Sequence, residues 1–194
     1  MTQHIKIGRA RRRTRIHRKP YRQGDLDGLC GLYCLVNAVR ALCPEMDREA
    51  AAALFEHLLQ SLRRTGVKPI EAITCGVDVG PHNQLIKRAV QYIGDEFGIE
   101  LTARRLPRPV RKSPQLSRLW RELAARLSPN CVAILGLGGR HEHWTVAVRA
   151  STRQIRLYDS SEMGVLRRGH CTVGAASTRT LIEPTCVVFI RRRN

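Results

Sequence analysis

Cys30 follows a loop of turn-formers and acids, Gln-Gly-Asp-Leu-Asp-Gly-Leu, and is itself followed by Gly31 and an apolar helical pattern. A thiol in that position has what a nucleophile needs. The first N–H groups of a helix lack intrahelical acceptors, and the positive end of the helix dipole favours a thiolate. Gly31 is expected to let a substrate approach the backbone without meeting a side chain. Cys34 lies one turn further in, on the apolar pattern, and is read as packing. Gln23, seven residues before Cys30, is expected to fold back through the Gly24–Gly28 loop and offer its amide to a developing oxyanion.

A thiol nucleophile also needs a base, and the base needs a group that orients it. Of the seven histidines, His4 and His17 lie in a basic arm, His57 is mid-helix, His82 opens a helix and His170 sits among turn residues. His143 begins the strand-like run HWTVAVRA, from which it can project into a site while Trp144 faces the other way. Asp159 ends the next strand-like run, sixteen residues on, and can stand beside the imidazole. His141 competes with His143 as the base. Cys30, His141 and His143 together also contain metal-ligating types, although no fourth ligand is evident.

The elements that must position these groups follow from periodicity. A helix is expected from Cys30 to Pro44, with Asp27 near its N-cap, on the spacing of Leu32, Leu35, Val36, Val39 and Leu42. Further helices are expected over 47–63 with Asp47 as cap, over 81–97 with Pro81 in the first turn, and over 117–127 around Trp120. Residues 64–80 read as turns and 106–115 as a basic, Pro-rich linker, with Pro107 and Pro109 in a segment expected to form a mobile flap over the cleft. Beyond Pro129 the character changes to short β-branched strands, CVAILGL, HWTVAVRA, QIRLYDS and TCVVFIRR, the middle two forming a hairpin. QHIKI near the start has a weak edge-strand pattern. The fold class is α+β, a helical lobe over about 23–128 and an antiparallel sheet lobe over about 129–194.

Composition narrows the function classes. The 194 residues suffice for one domain with a full core. No apolar run reaches the length of a membrane span and no secretory signal opens the chain, so a cytoplasmic protein without a membrane contact is expected. The seven cysteines are odd in number and contain no CxxC pair, which argues against a disulfide framework or a four-cysteine zinc site. The formal net charge is +18, and residues 1–22 hold nine Lys or Arg and no acid. That arm is either solvated or, through residues 6–22, a contact for nucleic acid or another polyanion.

The order Gln23, Cys30-Gly31, His143 on a strand and then Asp159 resembles the papain-like cysteine peptidases, most closely the double-glycine leader peptidases of bacterial peptide exporters. The resemblance implies a two-lobed papain-like fold and no cofactor. It implies Cys30 as nucleophile, His143 as base, Asp159 as orienting acid, Gln23 as oxyanion donor, and a peptide or protein substrate. It spans roughly residues 20–190, with specificity confined to the two short motifs. Gln23 stands seven rather than six residues from the thiol, and Ser160 replaces the Pro common after the acid. Transfer of the acyl group to an amine uses the same groups as hydrolysis. A polyanion-binding protein with a non-catalytic body of this shape is the reading from the other class.

Overall fold

The computed structural model describes residues 19–107, 115–174 and 178–193. Most of the basic arm, the QHIKI pattern and the greater part of the Pro-rich linker lie outside them.

The first helix, α1 (Cys30–Leu42), is apolar on nearly every side, and 11 of its 13 residues are buried. A helix with that composition must be enclosed all round. It lies between the sheet and the helices α2 (Arg48–Leu62) and α4 (Val79–Phe97). Asp47 caps α2 as expected, its carboxylate accepting the Ala50 N–H at 2.8 Å. Asp27 does not cap α1. Its carboxylate instead accepts the N–H groups of Gly24 and Leu29, each at 3.0 Å, and so folds the approach loop on itself.

The stretch read as turns contains a short helix, α3 (Pro69–Cys75), and α4 begins two residues before Pro81. Seven residues with one buried side chain, Ala72, give too little apolar periodicity to be read from sequence. A further helix, α5 (Leu116–Arg126), surrounds Trp120 as expected.

The strands are β1 (Leu101–Arg105), β2 (Cys131–Gly139), β3 (His143–Ala150), β4 (Gln154–Leu157), β5 (Val165–Arg167), β6 (Cys171–Thr172), β7 (Thr180–Ile182) and β8 (Val188–Arg192). They form one sheet in the order β1-β8-β2-β3-β4-β5, antiparallel throughout. β7 joins the far end of β2, and β6 runs parallel to β7. The fold is therefore α+β with an antiparallel sheet. Two elements from the stretch read as helical join the sheet: β1 becomes an edge strand, and α5 packs on the face opposite α1. β1 escapes periodicity because four of its five residues are partly or fully exposed and three of the five are polar.

Two apolar cores flank the sheet. One holds α1, α2 and α4 against Val132, Ile134, Trp144, Val146, Val188 and Ile190. The other holds α5 against Ala133, Leu135, Ala147, Ile155 and Phe189. β2 is covered on both faces, which is why CVAILGL is a continuous apolar run without alternation. β4, with its alternating exposed and buried residues, shows the opposite pattern. Among the described residues, no helix is long and apolar enough to cross a membrane.

The segment before the approach loop is fastened to α1 by polar groups. The fully buried Asn37 side chain accepts the Tyr21 N–H at 2.8 Å and donates to the Tyr21 carbonyl at 2.9 Å. Arg40 lies over the Tyr21 ring at 4.3 Å and donates to the hydroxyls of Tyr21 and Tyr158. Asn37→Leu removes both backbone partners at once and leaves two polar groups facing an apolar side chain. A loss of about 2–4 kcal/mol in urea unfolding is expected, with faster proteolysis near residues 19–22.

Candidate active site

Cys30 is the first residue of α1, where helix bonding begins with the Leu32 and Tyr33 N–H groups donating to the Leu29 carbonyl. The N–H groups of Cys30 and Gly31 precede that first bond and remain unspent among the described residues. Cys30 is 8% exposed, and Cys34, one turn on, is 2% exposed. Burial pushes the Cys34 thiol well up, and the neighbouring Cys30 and Asp159 add to the effect. Cys34 is thus a packed, protonated thiol.

β3 starts at His143, and Trp144 turns into the α1 side of the sheet, as alternation requires. The neighbouring hairpin strand pairs Ala147 with Leu157, a register that carries Asp159 to the position opposite Thr145. From there the Asp159 carboxylate reaches back one pleat and accepts from His143 Nε2 at 2.7 Å. Both side chains are shielded, 11% exposed for His143 and 1% for Asp159. The other carboxylate oxygen accepts the N–H groups of Ser161 at 2.8 Å and Met163 at 3.1 Å, which fixes the acid.

The electrostatics follow from these contacts. Burial alone would push the His143 imidazole down, but its hydrogen bond to Asp159 and its contact with the Cys30 sulfur outweigh that and hold it up at about 9. Burial likewise pushes the Asp159 carboxyl up. His143, the Thr145 hydroxyl and the Ser161 N–H overcome it and hold the group below the usual carboxylate range. Both the Cys30 sulfur and the Asp159 carboxylate act on the His143 ring, which places the three side chains near one another.

Gln23 is drawn to the same place. Its backbone N–H donates to the carbonyl of Ser160, next to Asp159, at 3.1 Å. Its side-chain amide N–H is engaged by the Asp27 carbonyl within the approach loop, and its amide oxygen is buried without a partner among the described residues. His141 lies before β3, outside the strand that carries His143. Among the described residues no group of three His, Cys, Asp or Glu is arranged to hold a metal ion.

The arrangement depends on a residue that sequence reading left aside. His82, at the start of α4, is completely buried and stacks on Trp144 with ring centroids 3.9 Å apart. Its Nε2 donates to the Gly31 carbonyl at 3.1 Å, and the Trp144 indole N–H donates to the Val77 carbonyl at 2.9 Å. A side chain at position 31 would place its Cβ 3.0 Å from the His82 ring. Gly31 therefore serves close packing beneath the helix start, a correction to its expected role in substrate approach. Gly28 is similarly confined: a Cβ there would lie 2.7 Å from the Gly76 nitrogen, pressing the loop off α3. The spacing did contain a signal for His82, since it stands three, four, seven and eleven residues before the buried Leu85, Ile86, Ala89 and Ile93 and so shares their stripe.

His82 and His143 give opposite pH dependences. Burial pushes His82 down to about 4, the bond to Gly31 opposing only in part. Between its ordinary value of 6.5 and 4 the unfolded chain binds a proton that the folded chain refuses, so stability falls as the pH drops, by up to about 3 kcal/mol. His143 keeps its proton to about 9, so its contribution is whole below 6.5 and is lost as the pH rises through 9. Asp159, held below its ordinary 3.8, contributes above that value and loses its contribution as the pH falls further. Melting temperature should peak near pH 6.5. His82→Phe should remove most of the acid limb while lowering stability at neutral pH by about 1–3 kcal/mol, since the Gly31 carbonyl loses its donor. An acid limb unchanged in this variant assigns it to other groups.

No protein-family model matches the chain, and no curated protein matches it. Among solved structures it is similar to the crystal structure of the Pseudomonas avirulence protein AvrPphB, at 15% identity and a TM-score of 0.35, over 84% of this chain and 89% of that chain. A likeness of that degree establishes neither fold family nor activity.

Proposed function

We propose that the protein is a papain-like cysteine peptidase that cleaves a peptide or isopeptide bond through Cys30, His143 and Asp159. The observation that carries this reading is the 2.7 Å bond from His143 Nε2 to Asp159, on a ring that also meets the Cys30 sulfur. With Nε2 occupied, Nδ1 is the nitrogen left to exchange a proton with the thiol. Geometry of this kind serves acyl transfer and has no evident use in packing alone.

In this reading the proton of Cys30 rests on His143, and Asp159 stabilises the imidazolium that holds it. The thiolate attacks the carbonyl carbon, and the negative charge passes to its oxygen, beside the unspent N–H groups at the helix start. Gln23 contributes the second N–H of its amide, the first being held by Asp27. His143 then protonates the departing amine as the C–N bond breaks, leaving a thioester on Cys30. Water, deprotonated by His143, attacks the thioester and releases the acid product and the thiol. Attack by an amine at that last step gives transfer instead. The exposed Leu26, at the tip of the approach loop, offers an apolar neighbour to a substrate side chain. The double-glycine leader-peptidase type makes a peptide with a Gly-Gly pair the first substrate to try.

Cys75 is the one exposed cysteine and provides an internal reference. Iodoacetamide should label Cys30 about 100-fold faster than Cys75 near pH 6, and the advantage should vanish in His143→Ala. Equal labelling of the two thiols in the unaltered protein would remove the activated pair. Cys30→Ala should abolish cleavage of Gly-Gly peptides, read by mass spectrometry, with the melting temperature retained. Asp159→Asn should slow cleavage by about 10²–10⁴-fold. It should also move the alkaline limb from about pH 9 to lower pH, because the carboxylate that keeps His143 protonated is gone.

A further inference from the structure

A groove opens at the end of β2 opposite the candidate active site. It lies between the last turn of α5 and the β1–β8 edge, and is lined by Arg104, Arg126, Arg191, Arg192 and Arg193, with Phe189 at its floor. His143 pairs with Leu137, near the far end of β2, whereas Arg191 pairs with Cys131 at its start. Six residues of strand separate the two places by about 20 Å. The pairing of Thr102 with Arg191 and of Arg104 with Phe189 puts these side chains on the α5 side of the sheet. Arg126 closes the wall, its guanidinium 5.0 Å above the Phe189 ring.

No acidic residue lines the groove. Two of the groove's guanidiniums hold a carboxylate from outside it, Arg126 with Glu122 at 2.7 Å and Arg193 with Glu100 at 2.5 Å, while that of Arg192 turns to the α1 side, to Glu45 at 2.7 Å and the Leu42 carbonyl. Arg104 and Arg191 are exposed and pair with no carboxylate among the described residues. Two guanidiniums on adjacent strands, without a carboxylate partner among the described residues and in a groove lined by no acid, favour an anion.

We infer that this groove binds the phosphate backbone of a nucleic acid without sequence preference. The planar guanidinium fork matches phosphate oxygens, and a phosphodiester chain supplies one negative charge at every repeat. An acidic protein partner would need apolar or aromatic anchors in addition to charge. The apolar lining residues, Phe189 at 4% and Cys131 at 1% exposure, are closed to it. The same closure denies a base any ring to stack on, so contact is confined to phosphates. The groove is part of the folded body, none of its lining residues belongs to the arm at residues 6–22, and the inference does not depend on peptidase activity.

The test is fluorescence anisotropy of a short labelled DNA duplex and of its single strand with the full chain, between about 50 and 200 mM salt. Arg104→Glu with Arg191→Glu should weaken binding at least about tenfold and reduce the slope of log K against log salt by about 2 on the duplex. Removal of residues 1–18 should leave that difference in place. If the double variant does not fold, Arg104→Gln with Arg191→Gln should give the same change in slope. Binding unaffected by either pair and lost with residues 1–18 assigns the contact to the arm and overturns the inference. Polyglutamate bound as tightly as the duplex overturns it in favour of an acidic protein, and no binding by the full chain at low salt overturns it outright.

Discussion

The His82 ring joins three elements that must keep register if Cys30 and His143 are to meet. It stacks on Trp144 of β3, donates to Gly31 of α1, and belongs to α4. Cys30 adjoins Gly31 and His143 adjoins Trp144, so one buried imidazole sits beneath both partners of the site. This explains why Gly31 cannot be larger and why the His82 stack is fully enclosed. A side chain at position 31 would either displace the ring or lift the helix start, and each moves the thiol against the base. Packing interiors respond to such displacements because they lack free volume to absorb them.

The two buried histidines show how partner chemistry decides charge. Burial pushes both imidazoles toward the neutral form. His82 faces a carbonyl dipole and an indole, which cannot stabilise a full positive charge against desolvation. His143 faces a carboxylate that is itself held ionised by the Ser161 and Met163 N–H groups, and that field outweighs the same penalty. His82 is thereby a neutral structural donor, whereas His143 is held protonated. Both roles come from the same type of side chain, one stacked on Trp144 and the other being the residue before it in β3.

Much of this site was legible in the residues. Cys30 stood out because a turn-rich loop leads straight into an apolar helix, and the pair His143 and Asp159 because strand alternation and a three-residue hairpin connection bring the strand ends together. The separation of Cys34 from Cys30 followed from apolar spacing alone. What escaped was set by tertiary contact. Asp27 has the residue type of a cap, but the loop closes on it before the helix begins, so its carboxylate is spent on Gly24 and Leu29. Gly31 looked like room for a substrate, yet its neighbour is a ring fifty-one positions away. β1 carries too little apolar pattern to declare itself, and its place in the sheet is fixed by β8 at the other end of the chain. The α+β class was readable, whereas the crossing of α5 to the far face was not, because periodicity tells which side of a helix is buried and never against what.

Charge separates the two surfaces of the sheet's ends as geometry does. The arginine groove lies about 20 Å along β2 from His143, more than twice the screening length of about 8 Å at physiological salt. Positive charge at that range adds little to the potential at the imidazole through solvent, so the raised affinity of His143 for its proton is a local matter of Asp159 and Cys30. The converse also holds. The groove's field is set by its arginines, of which Arg104 and Arg191 pair with no carboxylate among the described residues, and is insensitive to whether Cys30 and His143 are ionised. A chain with a formal charge of +18 can thus hold an anion at one end of a strand and a finely balanced proton at the other, because each depends on contacts made within a few ångströms.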